Sequence, residues 1–195
     1  MTMNEIVKKK KDLRKKLIER RNLIKRNTTL DFNIDVFYKL TKKIEINKVD
    51  CVGSFISIRS EISTYNLNKA ILDINKKLAF PSIEKNVETL TFRTTNSDKS
   101  FKLGKFNIPE PTNDNKEIIP QLFFVPCLGF DLKGYRIGYG GGFYDKTFEK
   151  FKKLNLLFYT VGFAYDEQKQ NKLPIEKFDY KLDFVLTEKQ LYTFL

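Results

Sequence analysis

The N-terminal segment of the chain carries apolar side chains at the spacing of an α-helix. In residues 4–26, Ile6, Leu13, Leu17 and Ile24 recur so that they share one face, and basic residues occupy the positions between them. This pattern predicts an amphipathic helix over residues 4–26, with one apolar and one charged side.

Two more helices are predicted in the first half of the chain. One runs from about 34 to 44, with Asp31 or Asn33 as its N-cap. Another carries apolar residues at helical spacing over 67–74, and Thr64 is its predicted cap. Both segments are short and amphipathic, which is typical of helices that cover a sheet.

Short apolar runs separate the helices and predict strands, whereas the polar, Pro- and Asn-rich stretch 94–117 predicts a long loop. Because strands alternate with helices, the chain is predicted to form an α/β layered fold with a mostly parallel sheet. There is no internal repeat or linker, so we expect a single domain over 1–195. The predicted strands are 52–58, 78–83, 89–93, 118–125, 156–164 and 184–186.

Composition removes several classes of catalyst. The chain contains no histidine, which excludes Ser-His-Asp and Cys-His catalysis, HExxH zinc sites and histidine bases. The two cysteines, Cys51 and Cys127, form no CxxC pair and lie in apolar runs, where buried and inert thiols are expected. Chemistry must therefore depend on carboxylates, Lys and Arg, backbone amides, or a bound cofactor and metal.

The net charge of +12 is concentrated at the N-terminus. Residues 1–26 hold eleven Lys and Arg against Glu5, Asp12 and Glu19, which gives +8. Such a helix can bind RNA or another anionic surface, present a solvated face, or line a polyphosphate site. No apolar run is long enough for a membrane span and no signal-peptide core is present, so we expect a cytoplasmic protein.

The strongest motif is a glycine-rich loop between a buried strand and a predicted helix over 142–154, whose Phe148, Phe151 and Leu154 are expected to face inward. Gly134, Gly138 and the run 140–142 place five glycines within nine residues. Glycines let backbone amides approach an anion, and the following helix directs its N–H groups at the loop.

Two charged residues frame this loop. Arg136 can hold a phosphate through two hydrogen bonds, and Asp145 can hold a divalent cation that bridges phosphates. A plain tight turn is the alternative, but five glycines between Arg136 and Asp145 favour phosphate binding. The loop is neither a Walker A sequence nor a Rossmann fingerprint, since Phe143 stands where the third glycine would fall.

The segment RIGYGGGFYD at 136–145 resembles the signature of 5-formyltetrahydrofolate cyclo-ligases, also called methenyltetrahydrofolate synthetases. Weaker resemblances follow in the same order along the chain: KKDLR at 10–14, FISIRSEIST at 55–64, FNIPEP at 106–111, and GFAYDEQ at 162–168 before Leu173, Pro174 and Asp179. The chain departs from the family at Arg59-Ser60, Ser63, Asn107 and Cys127, which bear on the shape of the folate pocket.

This resemblance implies a three-layer α/β/α domain with a mixed sheet, which uses ATP and Mg²⁺ to convert 5-formyltetrahydrofolate to 5,10-methenyltetrahydrofolate. Lys10, Arg14 and Arg136 would act on the phosphates. The implied ATP-binding residues are Lys10, Lys11, Asp12, Leu13, Arg14, Arg136, Ile137, Gly138, Tyr139, Gly140, Gly141, Gly142, Phe143 and Tyr144. Ile56, Glu61, Phe143 and Tyr144 would bind the folate, and Asp145 and Asp179 the metal.

Two alternatives remain open from the sequence. The +8 helix and the abundant aromatic residues suit a nucleic-acid-binding protein, although no RRM, KH or helix-turn-helix signature is present. Another small ATP-dependent ligase or kinase on the same fold would share the glycine loop and lack the pterin contacts of Glu61. Under the cyclo-ligase interpretation no nucleic acid, membrane or obligate protein partner is expected.

Overall fold

The computed structural model describes residues 3–95 and 100–195. The predicted helices are confirmed to within one or two residues. Asn33 is the N-cap of the second helix, since its side chain accepts a 3.0 Å hydrogen bond from the Asp35 amide. The helices are α1 (Met3–Asn27), α2 (Ile34–Lys43), α3 (Tyr65–Asp73) and α4 (Phe143–Lys153).

Three of the predicted strands, 52–58, 118–125 and 156–164, are shorter in the structure, and the other three match to within one residue. The strands are β1 (Cys51–Gly53), β2 (Lys77–Ile83), β3 (Leu90–Thr94), β4 (Phe101–Leu103), β5 (Pro109–Pro111), β6 (Leu122–Pro126), β7 (Gly129–Asp131), β8 (Arg136–Ile137), β9 (Tyr159–Phe163), β10 (Lys169–Gln170), β11 (Phe184–Leu186) and β12 (Leu191–Thr193).

The main sheet of the described chain has seven strands in the order β12-β11-β9-β6-β1-β2-β3. Its five central strands are parallel, and the edge strands β3 and β12 are antiparallel to their neighbours. The sheet is therefore mixed and mostly parallel, which confirms the predicted α/β class. Two smaller sheets, β10-β7-β8 and β4-β5, also form within the described residues.

Successive residues of β6 show how the sheet is buried on both faces. Leu122 and Phe124 join one apolar cluster with side chains from α1, α2 and α3. Phe123 and Val125 join the opposite cluster, which contains Phe148 of α4. Because both faces of a parallel sheet must be covered by helices, the strand is apolar at every position and the fold has three layers.

Several sequence-based boundaries were wrong. Residues 54–58 leave the sheet after β1, and 118–121 precede β6 without joining it. The predicted loop 94–117 contains the hairpin β4-β5; residues 96–99 of that prediction lie outside the described residues. Leu154 does not face inward, because 57% of its surface is exposed. Thr64 is the N-cap residue of α3 as predicted, but its side chain makes no capping hydrogen bond, because its hydroxyl donates to the Phe55 carbonyl.

Within the described residues, no helix is long and apolar enough to cross a membrane.

Candidate functional site

A cavity of about 490 Å³ opens at the carboxyl ends of the central parallel strands. Phe55 and Ile56, which follow β1, line it together with Pro126 at the end of β6. Strands β1 and β6 are neighbours, while the chain continues from β1 to β2 on the other side. Ligand sites in parallel α/β sheets are found at such reversals of strand order, so the fold itself places a site here.

Residues 138–142 of the glycine loop form one wall of this cavity, and two of them require glycine for their backbone conformation. Gly140 has a φ of +106° and Gly142 a φ of +67°, which residues with a Cβ rarely adopt. Gly142 is also the N-cap of α4. The first amides of α4 and the positive end of its dipole therefore adjoin the loop, as an anion site requires.

The loop is fastened to α1 by Arg14. Its Nε donates a 3.0 Å hydrogen bond to the Gly138 carbonyl, and its guanidinium lies directly over Gly140, where a Cβ would come within 3.2 Å of Cζ. Arg14 also lines the cavity. Arg14 and the glycine loop, which the resemblance assigns to the same ligand, are thus in direct contact.

Lys10 is almost completely buried, with 4% of its surface exposed. Its ammonium lies 2.6 Å from Glu176 Oε2 and 2.5 Å from Asp179 Oδ2. All three side chains line the cavity. A buried cation is tolerable only with partners, and here two carboxylates neutralise it. Sequence analysis selected Lys10 and Asp179 but missed Glu176.

Arg136 carries a buried donor without a partner. Its Nη1 donates a 2.9 Å hydrogen bond to Asp145 Oδ1, but its Nε makes no hydrogen bond within the described residues. The hydroxyl of Tyr144 is likewise buried and has no partner there. Both residues line the cavity, and burial raises the pKa of Tyr144, so it stays protonated and able to donate. Buried donors of this kind call for an acceptor, which a phosphate or substrate oxygen supplies.

Glu61 lies on another wall of the same cavity with only 6% of its surface exposed. Its Oε2 accepts a 2.9 Å hydrogen bond from the Ile58 amide. Burial raises the pKa of its carboxyl, while that hydrogen bond and the charge of Arg21 oppose the rise. Ile56 and Phe143 supply apolar surface beside it. A buried carboxylate among apolar walls is suited to a flat ring that carries N–H donors.

The hairpin β4-β5 adds a wall that the sequence had suggested only as a loop. Phe106, Ile108 and Glu110 from its turn and second strand line the cavity. Glu110 is buried and accepts a 3.2 Å hydrogen bond from the Ile83 amide, and burial raises its pKa. Gly104 permits this packing, since a Cβ there would meet the Glu110 carboxyl at 2.1 Å.

Three predicted nucleotide-binding residues do not reach the cavity. Lys11 and Asp12 are exposed, and Leu13 packs against the cluster that contains Leu17 and Ile137. On a helix, residues next to Lys10 and Arg14 point to other faces, so a contiguous five-residue site cannot form. The remaining predicted residues, including Ile137 and Tyr139, do line the cavity.

Sequence analysis also missed Arg21, a buried cation of α1 that contacts Glu61. The signal was present in the pattern: Arg21 falls between Leu17 and Ile24 on the apolar stripe, where a charge is out of place. Arg59, which lines the cavity in a left-handed conformation at φ +55°, was noted only as a departure from the family motif.

The predicted inertness of the cysteines agrees with their environment. Both thiols are free and buried. Burial raises the pKa of Cys51 to about 11 and that of Cys127 to about 12, so neither thiol ionises readily near neutrality.

Known proteins match this chain along most of its length. The 5-formyltetrahydrofolate cyclo-ligase family model matches residues 6–188. A Haemophilus influenzae 5-formyltetrahydrofolate cyclo-ligase is 32% identical over 148 residues, which cover 73% of this chain and 78% of that protein. The Mus musculus 5-formyltetrahydrofolate cyclo-ligase is 26% identical over 189 residues, or 92% and 93% of the two chains. An NMR structure of Aquifex aeolicus 5,10-methenyltetrahydrofolate synthetase superimposes with a TM-score of 0.76 at 26% identity, covering 95% of this chain and 92% of that one.

Proposed function

Since the chain belongs to the 5-formyltetrahydrofolate cyclo-ligase family, we propose that it catalyses the ATP-dependent cyclisation of 5-formyltetrahydrofolate to 5,10-methenyltetrahydrofolate, with release of ADP and phosphate. The observation that carries this proposal is the meeting of the glycine loop and Glu61 in one cavity. A phosphate site and a carboxylate for a pterin ring thus face the same space, as a reaction between ATP and a folate requires.

The phosphate side of the cavity is built from three cations and the loop amides. Lys10, Arg14 and Arg136 come from α1 and from β8, yet all line the cavity next to residues 138–142. The unpartnered Nε of Arg136 is the donor that a phosphate oxygen would satisfy. These groups would bind the nucleotide and stabilise charge on the transferring phosphoryl group.

The folate side is built from Glu61, Ile56 and the aromatic residues at the start of α4. Glu61 would accept hydrogen bonds from pterin N–H groups, and Ile56 and Phe143 would pack against the ring. The hydroxyl of Tyr144, unpartnered within the described residues, would donate to a substrate oxygen. These roles rest on the position of each residue in the cavity.

The proposed reaction depends on correct positioning of the two substrates and needs no nucleophile from the protein. The formyl oxygen of the substrate attacks the γ-phosphorus and ADP leaves; N10 then attacks the activated carbon, loses its proton, and phosphate leaves. Bringing the formyl oxygen and the γ-phosphate together in one site would supply much of the rate increase. A chain without histidine is compatible with this sequence of steps.

A magnesium ion belongs to this proposal as part of the nucleotide complex. The described residues contain no cluster of three or more His, Cys, Asp or Glu side chains that would hold a metal alone. Mg²⁺ is commonly held by one or two carboxylates together with substrate phosphates, and Asp145 and Asp179, which both line the cavity, fit that donor set. Bound there, the ion would neutralise phosphate charge.

The direct test is an absorbance assay for the methenyl product with purified protein, 5-formyltetrahydrofolate, Mg²⁺ and ATP. We expect ATP-dependent product from the wild type and almost none from Arg136→Ala or Asp145→Ala. Arg26→Ala, at an exposed position of α1, is the matched control and should keep full activity. A folded wild type that binds ATP and forms no methenyl product would point to another acceptor and refute the proposal.

Several features stay predictions under this proposal. They are a single domain over 1–195, a cytoplasmic location, and independence from nucleic acid and from an obligate protein partner. Salt-sensitive RNA binding that ATP does not compete with would contradict the third of these and favour the nucleic-acid alternative.

A further inference from the structure

Arg21 is a buried charge that the proposed chemistry does not use directly. Only 1% of its surface is exposed, although it occupies a position of α1 between the core residues Leu17 and Ile24. Placing a guanidinium in the interior is costly unless its hydrogen-bonding groups are matched. Its partners therefore indicate what the residue is for.

Each nitrogen of this guanidinium faces an acceptor from a distant part of the chain. Nε donates a 3.2 Å hydrogen bond to Ser60 Oγ, and Nη1 lies 3.5 Å from the Cys127 carbonyl oxygen and 3.7 Å from Glu61 Oε1. Nη2 donates to the hydroxyl of Tyr139. One side chain thus joins the turn that carries Glu61, the end of β6 and the glycine loop.

Two of these partners lie on opposite sides of the proposed reaction. Glu61 belongs to the folate wall and Tyr139 to the nucleotide loop, and both line the cavity. Tyr139 is also held through its ring, which the Arg21 and Arg59 guanidinium carbons approach to 5.4 and 5.7 Å from the centroid. Glu61 interacts with both Arg21 and Tyr139, because a hydrogen bond from Tyr139 and the charge of Arg21 oppose the rise of the Glu61 pKa on burial.

We propose that Arg21 is a positioning residue that holds Glu61 and Tyr139 in one arrangement, so that folate and ATP bind cooperatively. This inference rests on the proposed function. A folate that engages Glu61 fixes its carboxylate against Arg21, and Arg21 in turn fixes the loop residue Tyr139. The glycine loop is then already ordered when ATP binds, so ATP binding loses less conformational entropy and its affinity is higher.

The test compares the affinity for a non-hydrolysable ATP analogue, by isothermal titration calorimetry, with and without saturating 5-formyltetrahydrofolate. The wild type should bind the analogue at least about fivefold more tightly when the folate is present, the lower end of typical coupling between sites. The ratio of the analogue's dissociation constants without and with folate should fall to about one in Arg21→Met. Arg20→Met, at an exposed neighbouring position, should leave it at the wild-type value.

Two further variants separate positioning from folding. Arg21→Lys keeps the charge but cannot reach Glu61 and Tyr139 together, so the ratio should fall without loss of the fold. Tyr139→Phe keeps the ring and removes only the hydroxyl that accepts from Nη2, so it should lower the ratio in the same way. If Arg21→Met fails to fold, the affinity ratio of Tyr139→Phe provides the test of the proposal.

The outcomes distinguish this inference from the proposed function. A wild type that makes the methenyl product, but whose analogue affinity does not respond to folate, would overturn the role of Arg21 alone. The same conclusion follows if Tyr139→Phe and Arg21→Lys keep the wild-type ratio. A wild type that makes no product removes the proposed function and this inference with it.

Discussion

Arg136 Nη1 lies 2.9 Å from Asp145 Oδ1, so the first and last residues of the glycine-loop motif are joined by an ion pair. Asp145 Oδ1 also accepts a 3.0 Å hydrogen bond from the Tyr180 amide, which ties the loop to the C-terminal part of the chain. The pair closes the loop while it leaves Arg136 Nε without a partner among the described residues. Arg136 therefore combines a structural bond with a buried donor that is free to bind a ligand.

We expect Arg136→Lys to lower kcat/KM for ATP by on the order of 10²-fold, as loss of one well-placed donor to a transition state does. A single ammonium can pair with Asp145 or bind a phosphate, but it cannot reproduce both directions of the guanidinium. Steady-state kinetics would measure this, with Arg26→Lys as control at an exposed site. Wild-type kinetics in Arg136→Lys would show that charge alone suffices.

Lys10→Met should raise KM for ATP by about tenfold or more, since a charge-assisted hydrogen bond is worth about 1.5–3 kcal/mol. It also leaves Glu176 and Asp179 without their shared cation, so a negative wall would face the phosphates. Lys9→Met is the matched control, because Lys9 is exposed. Equal KM values in the two variants would mean that Lys10 neither contacts the phosphates nor shields them from the two acids.

Phe123→Ala should lower the free energy of unfolding by about 3–5 kcal/mol, the usual cost of removing a buried aromatic side chain. Phe123 is fully buried in β6, and its ring contacts four others: Phe92, Phe148, Phe151 and Phe158. Urea denaturation would test the prediction against Phe178→Ala, whose side chain is mostly exposed. A loss below 1 kcal/mol would mean that α4 repacks against the sheet.

Asp183→Asn should stabilise the protein at neutral pH, because it removes a carboxylate whose ionisation is opposed by burial. Burial raises the pKa of Asp183 above its unfolded value, although its Oδ2 accepts 2.7 and 2.8 Å hydrogen bonds from the amide and hydroxyl of Thr160. Its ionisation therefore costs stability as the pH rises from the unfolded pKa through the folded one. Asparagine keeps an acceptor for Thr160 and removes that cost.

The advantage of Asp183→Asn should accordingly be present above the folded pKa and vanish below the unfolded one. Urea denaturation across this pH range would measure the difference from the wild type. Asp114→Asn, at an exposed position, should show no such dependence. If Asp183→Asn remained more stable than the wild type in acid, its added stability would come from packing and not from loss of the charge.

The sequence predicts the helices better than the strands, and the reason is physical. The helical spacing of apolar residues over 4–26 indicates that one face of the helix is buried, and the same burial determines where α1 begins and ends. An apolar run indicates that residues are buried, but not that they hydrogen-bond to a neighbouring strand. Residues 54–58 were therefore predicted as strand, although they leave the sheet and partly line the cavity. The end of β1 therefore coincides with the start of the cavity lining.

The site was predicted where a local motif carries it and missed where distant contacts create it. The loop 136–145 is recognisable because its glycines and charges are contiguous. Glu176 is brought to the cavity beside Lys10, 166 positions away in the chain, and Arg21 acts through partners such as Glu61 and Tyr139. Lys11 and Asp12 show the converse: they are contiguous with Lys10 but do not line the cavity, since neighbouring residues of a helix point to different faces.

The pairing of Lys10 with Asp179 spans 169 positions of the chain. A contact between such distant positions forms only after nearly the whole chain has emerged from the ribosome, and it carries a large loop-closure entropy. The catalytic pocket should thus be among the last parts to assemble during refolding, well after α1 acquires its helical structure. In a stopped-flow experiment, recovery of nucleotide binding would then lag behind recovery of the far-ultraviolet circular dichroism signal.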